Sequence, residues 1–226
     1  MIIRISALLC SFLILSGCKN HEPPVQAADK IPQQVAKEAT QQEADAIHRY
    51  VQILEPLINV DKLDGLKGKR AATPRLRKAC YYLEEARRAG IDPSLLISHA
   101  HKVTKRGNAA RTQAQHDSLL RNRTILERLG CLDADGMNKL RKGNAPTITK
   151  GNKRYIGELA TVDHIIPRSV CPELDNRVYN LEFLPDSLNQ QKGNKIGDRQ
   201  KQLAKKWHAS GLLSNTAYQA VLANSK

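Results

Sequence analysis

The stretch Asp163-His164-Ile165-Ile166-Pro167, followed by Asn180-Leu181, Asn189 and Lys192-Gly193, decides how this 226-residue chain is read. Residues 154–162 before it have strand character, interrupted by Gly157, and Asp163-His164 closes that strand. Residues 167–178 form a long loop, and 180–184 a second short strand. Pro185-Asp186-Ser187 then opens a helix, with Asp186 or Ser187 as its N-cap, and Gly193 marks its end. The order strand, loop, strand, helix places Asn189 in the first helical turn and Lys192 three residues further along the same face.

These side chains complement one another chemically. His164 offers a neutral imidazole, the side chain best suited to take a proton near neutrality. Asp163 beside it offers a hard oxygen for a cation, and the Asn189 amide oxygen can complete the metal shell. Adjacent strand residues point to opposite faces, but a bend at Pro167 or a strand end lets the two cooperate. Lys192 can meet a phosphate, aided by the anion-attracting N-terminus of its helix. Asn180 is better placed to hold the loop and orient His164 than to ligate directly. Arg168 in the loop, with Lys195 and Arg199 beyond the helix, are candidate phosphate contacts, whereas Asp175 and Asn176 read as loop-capping residues. Base, cation and phosphate-binding groups together suit hydrolysis of a phosphodiester.

Over residues 155–197 the chain resembles the HNH branch of the ββα-metal endonucleases, through Asp-His, a hydrophobic pair and Pro, then Asn-Leu, Asn and Lys-Gly at these spacings. The resemblance implies His164 as general base, Asp163 and Asn189 as metal ligands, and Asn180 as the middle motif residue that supports the loop. Asparagine rather than histidine at Asn189 gives two oxygen ligands, which favours Mg²⁺, or another divalent cation such as Mn²⁺, over Zn²⁺. The zinc-ribbon cysteines that many relatives carry around the motif are lacking.

Between Ala44 and Leu132 apolar residues recur at helical spacing, as in Ile47, Val51, Leu54 and Ile58, and Gly65, Gly68, Thr73-Pro74, Gly90, Asp92-Pro93, Gly107 and Gly130 punctuate several amphipathic helices. Their polar faces are basic, with Arg75, Arg77, Arg87, Arg88, Arg111, Arg121, Arg123 and Arg128 among others, and the formal net charge is +14. Such an excess suits a polyanion, nucleic acid given the motif, although it also suits an anionic membrane surface. His99 and His101 lie two apart and so point to different sides of a helix, and His116 has no evident partner. Helices are also expected over 198–209 and 214–223, separated at Ser210-Gly211. Cys80, Cys131 and Cys171 form no CxxC pair, which argues against structural zinc. An oxidising compartment permits one disulfide among the three, and elimination favours Cys80 with Cys131 because Cys171 lies in the loop after His164.

The N-terminus carries Arg4, an apolar run over 5–15 and then Leu15-Ser16-Gly17-Cys18. The charge, the run and the small residues are those of a secretory signal, and the tetrapeptide resembles the bacterial lipobox. That resemblance implies a lipid anchor on Cys18 in the bacterial cell envelope, and Lys19 after it favours the periplasmic face of the outer membrane over the inner membrane. The organisation expected is a lipoprotein signal peptide over 1–17, a polar tether over 18–43, a helical region over 44–140 and an HNH nuclease domain over 141–226. The fold class is α+β, mainly helical, with C-terminal helices after the ββα-metal motif. The function expected is a metal-dependent endonuclease acting on nucleic acid, most of all DNA. The alternative is a non-catalytic nucleic-acid-binding lipoprotein for DNA capture or uptake, and residues 44–132 are also a candidate docking module for a protein partner.

Overall fold

Each amphipathic segment of the helical region buries one apolar stripe, and the stripes meet in a common core. The structure, a computed structural model, describes residues 30–66, 68, 70–103 and 108–224, with side chains from residue 40 onward. The expected signal peptide, Cys18 and the first part of the expected tether lie outside these residues. The described residues from 43 onward form one compact unit, and residues 30–42 before them are helical.

Among the described residues six α-helices come first: α1 (Lys30–Ile58), α2 (Val60–Asp64), α3 (Thr73–Arg88), α4 (Pro93–Val103), α5 (Ala109–Arg128) and α6 (Ala134–Lys142). They end where glycines permit it, as at Gly90 and Gly130 with φ of 88° and 71°. Helix α6 has its own signals, since Asp133 Oδ1 accepts from the Gly136 N–H at 2.8 Å and Gly143 closes the helix in the left-handed region. Two antiparallel strands follow, β1 (Ala160–His164) and β2 (Leu181–Pro185), then α7 (Asp186–Lys192), α8 (Asp198–Ala209) and α9 (Asn215–Ala223). The class is α+β and mainly helical, as expected.

Several boundaries differ from the expectation, each for a physical reason. The strand expected over 154–162 begins only at Ala160, because residues 153–155 form a 3-10 turn and Gly157 has a φ of 91°. Asn180 closes a 3-10 turn, and β2 starts one residue later. Neither Asp186 nor Ser187 caps α7 with its own side chain. Pro185 is the N-cap residue, and the Glu158 carboxylate serves from outside, accepting from Ser187 N–H at 3.0 Å and Ser187 Oγ at 2.8 Å.

The regions 44–140 and 141–226, set apart in the sequence, share one core. Ala160, Val162, Leu181 and Phe183 of the hairpin pack in the same cluster as Leu54, Leu76, Leu83, Leu119 and Leu126. Two strands of five residues cannot stand alone in water, so the hairpin needs the helices. The C-terminal helices build a second cluster in which Trp207, Ala204, Leu212 and Val221 support Ile166, Cys171, Leu174 and Tyr179 of the loop after His164. Glu173 of that loop also accepts from Ser214 N–H at 2.9 Å and Ser214 Oγ at 2.7 Å at the start of α9.

The expected Cys80–Cys131 disulfide is not formed: Cys80, Cys131 and Cys171 are all free and buried. Cys131 Sγ instead faces the carbonyls of Leu129 and Thr147, and burial pushes the Cys80 and Cys131 thiols up to about 12 and Cys171 up to about 11. At such values the thiolate that oxidation requires is scarce.

Much of the basic surface expected to face nucleic acid is engaged by acceptors of the protein itself. Arg87, Arg88 and Arg123 converge on Glu84, whose side chain is 2% exposed. Arg75 donates to Pro56 O, Arg77 to Gly143 O, and Arg111 pairs with Asp64. Burial works to raise the pKa of Glu84, but the hydrogen bonds from the three arginines outweigh it and hold it at about 2, against the usual 4.5. Its stabilisation is therefore complete above about pH 4.5 and lost as the pH falls toward 2. Glu84→Ala should destabilise the fold by about 3 kcal/mol at pH 7, with the gap to wild type closing as the pH falls through this window. Urea titrations at pH 7 and pH 3 measure this, and a gap that does not shrink on acidification contradicts the network.

Candidate active site

Residue alternation along β1 sets up the site. Val162 faces the core opposite Phe183, whereas Thr161 and Asp163 lie under α7, reached by Asn189 and Lys192. His164 is the last residue of β1, and there the constraint of opposite faces lapses. Asp163 and His164, 8% and 3% exposed, both line one open cavity of about 480 Å³. Its walls also include Asn189, Arg168, Asp186 and Arg70.

The imidazole is held in one tautomer. His164 Nε2 lies 2.8 Å from the main-chain oxygen of Asp175 and 3.0 Å from Asp175 Oδ1. A carbonyl only accepts, so Nε2 carries the hydrogen and Nδ1 of the neutral ring keeps its lone pair. The Asp175 carboxylate, 17% exposed, is placed to stabilise the imidazolium that forms when Nδ1 takes a proton.

The Asn189 amide is oriented just as definitely. Thr161 Oγ1 donates to Leu184 O at 3.4 Å and accepts from Asn189 Nδ2 at 3.0 Å. That assigns the nitrogen to Thr161 and leaves Asn189 Oδ1 as the free end of the amide. Lys192 Nζ bonds Asp163 Oδ2 and the His164 carbonyl, so the ammonium expected to meet a phosphate is fixed on the carboxylate instead. Across the ladder from Asp163 stands Glu182, buried at 3% exposure. Two carboxylates at one ladder position repel, and Arg199 offsets this by pairing through both of its terminal nitrogens with Glu182. Arg199 therefore has its guanidinium engaged within the fold. Lys195 is exposed on the connection to α8, and Arg168 reaches the cavity.

Asn180 touches no part of the cavity wall. It is fully buried and stitches the loop: its Oδ1 accepts from Ile166 N–H at 2.8 Å, its Nδ2 donates to Ile166 O at 3.0 Å and Leu174 O at 3.3 Å, and its own carbonyl takes Ile165 N–H at 2.7 Å. Holding Leu174 holds Asp175, and through it His164.

Comparison with protein-family models, with curated proteins and with solved structures finds no match to this chain. The chemistry rests on the site itself. Among the described residues no group of three His, Cys, Asp or Glu side chains is gathered for a metal ion. The oxygen donors at the cavity include the Asp163 and Asp186 carboxylates and the Asn189 amide, a set suited to a hard cation that keeps several waters.

Two residues of the site carry no signal in the sequence. Asp175 reads as an ordinary loop residue, and its contact with His164 arises from the fold of the loop. Arg70 comes from the segment between α2 and α3, far along the chain. The other expected histidine features stay apart from the site: His116 Nε2 bonds Ser94 Oγ at 3.0 Å, and burial, with His116 nearby, lowers His101 to about 4.

Asn180→Leu should lower stability by about 2 kcal/mol or more, because it leaves buried backbone groups of Ile166 and Leu174 without partners. Denaturant unfolding measures this, and wild-type stability in the variant would remove Asn180 from the loop's support.

Proposed function

We propose that the chain is a metal-dependent endonuclease of the HNH, or ββα-metal, type, which hydrolyses phosphodiester bonds of nucleic acid, DNA first, and is held in the bacterial cell envelope by a lipid on Cys18. The observation that carries the reading is the fixed tautomer of His164 at a cavity shared with Asp163 and Asn189.

In this reading His164 Nδ1 takes the proton of a water that attacks the phosphorus, while Nε2–H stays on Asp175 and keeps the ring from turning. Asp163 and Asn189 Oδ1 would hold Mg²⁺ or Mn²⁺. When bound, the cation neutralises charge developing on the phosphate and the leaving oxygen. Lys192 keeps Asp163 in place for that task, and Thr161 keeps the Asn189 oxygen turned toward it. Arg168 supplies positive charge at the cavity wall for a phosphate oxygen. The lipid anchor rests on the sequence Leu15-Ser16-Gly17-Cys18.

Digestion of supercoiled plasmid by the purified full chain tests the activity. Cleavage is expected with Mg²⁺, with none in EDTA and a loss of roughly a thousandfold in His164→Ala. Plasmid left intact by the wild-type chain with Mg²⁺ sinks the enzyme reading; a fully active His164→Ala sinks the base assignment. For the metal, Asn189→Asp should keep part of the activity and Asn189→Leu none, whereas equal activity in both would rule Asn189 out as a ligand. Thr161→Val should raise the Mg²⁺ concentration needed for half-maximal rate while leaving the rate at saturating Mg²⁺ near wild type. An unchanged Mg²⁺ requirement would show that Thr161 does not orient the amide.

A further inference from the structure

Arg70 reaches the cavity of Asp163 and His164 from the connection between α2 and α3. Its φ of 58° is the one positive value at a non-glycine residue among the described residues. That conformation crowds the Cβ of an L residue against its own backbone, and it persists only where surrounding contacts impose it.

The contacts are specific. Arg70 N–H donates to Asp175 Oδ1 at 3.3 Å, and the neighbouring Asn176 accepts from Ala72 N–H at 3.1 Å and donates to Gly68 O at 3.2 Å. Asp175 Oδ1 is also the oxygen that His164 Nε2 approaches at 3.0 Å. A single carboxylate oxygen thus fixes both the imidazole and the segment that presents Arg70. While Arg75, Arg77, Arg87, Arg88 and Arg123 of the helical region are engaged with protein acceptors, Arg70 is exposed and forms part of the cavity wall.

The geometry points to Arg70 as a substrate-binding residue, its guanidinium receiving a backbone phosphate of the nucleic acid whose scissile bond lies over His164. This rests on the nuclease reading. A planar fork with five donors suits a phosphate, and a backbone held by Asp175 and Asn176 presents it without the ordering cost of a free loop. The helical region then supplies one wall of the substrate site.

Arg70→Gly isolates the guanidinium. Glycine adopts the positive φ freely and keeps the N–H that binds Asp175, so its melting temperature should stay within about 3 °C of wild type. Binding is read by fluorescence anisotropy with a labelled 20-base-pair DNA duplex in EDTA, using the full chain, and with an RNA duplex of the same sequence. Arg70→Gly should weaken binding about tenfold and flatten the salt dependence of log K by about one. Arg70→Lys should recover part of the loss. Lys142→Ala, which removes an exposed cation outside the cavity wall, should leave both readouts within twofold of wild type. With Mg²⁺ present, KM for the duplex should rise in Arg70→Gly more than kcat falls.

Loss of binding with either nucleic acid supports the assignment and tells which backbone Arg70 meets. Wild-type affinity and salt slope of Arg70→Gly with both duplexes overturn it, as does an equal loss in Lys142→Ala. These results are distinct from failure of the nuclease reading, which appears as wild-type protein that binds a duplex but does not cut it. Wild-type protein that neither binds nor cuts overturns both.

Discussion

The outer edge of β2 is satisfied by side chains of α5, and the placement of the site follows from that attachment. Asn122 accepts from Phe183 N–H at 3.1 Å and donates to Leu181 O at 2.9 Å; Arg121 donates to Leu181 O at 3.2 Å and Ser118 to Val178 O at 2.8 Å. Ser118 and Asn122 are fully buried, where an unmet backbone group costs about 1–3 kcal/mol. A helix that answers backbone donors and acceptors one by one fixes the register of the strand it borders. The paired strand β1 inherits that register and delivers Asp163 and His164 to the cavity.

From this attachment the electrostatics follow in layers. The strand pairing sets Asp163 opposite Glu182, a repulsive arrangement that Lys192 and Arg199 offset from α7 and α8. Two of the cations expected to meet phosphate are thereby engaged in holding the site's own carboxylates. The positive charge at the cavity comes instead from Arg168 and Arg70. Elsewhere the chain's excess of Lys and Arg is partly taken up by structure, Glu84 alone drawing in three guanidinium groups. Net charge therefore overstates the surface open to a polyanion.

The loop after His164 is held from two sides. Asn180 ties its two ends together, and Trp207 and Val221 of the C-terminal helices, with Leu212 of the turn between them, close over its apolar residues. That support gives Asp175 a fixed place, and Asp175 couples His164 to the segment around Arg70. The helices on either side of the hairpin are thus parts of one device.

What the sequence alone determined were the features encoded within a few turns or one hairpin. Helix periodicity and glycine stops located most of the helices, and the spacing of Asp163, His164, Asn180 and Asn189 located the strand-loop-strand-helix segment, because both depend on local backbone geometry. Strand ends shifted where Gly157 and Asn180 form turns, and the expected Cys80–Cys131 bridge gave way to buried free thiols, since burial is a property of packing. Tertiary structure alone decided that Asp175 meets His164, that Lys192 and Arg199 turn to carboxylates, and that Arg70 reaches the cavity. Each of these pairs residues with no fixed separation along the chain. Their meeting is set by how α5 docks on β2 and how the loop folds over α8 and α9, information that no local pattern of residues contains.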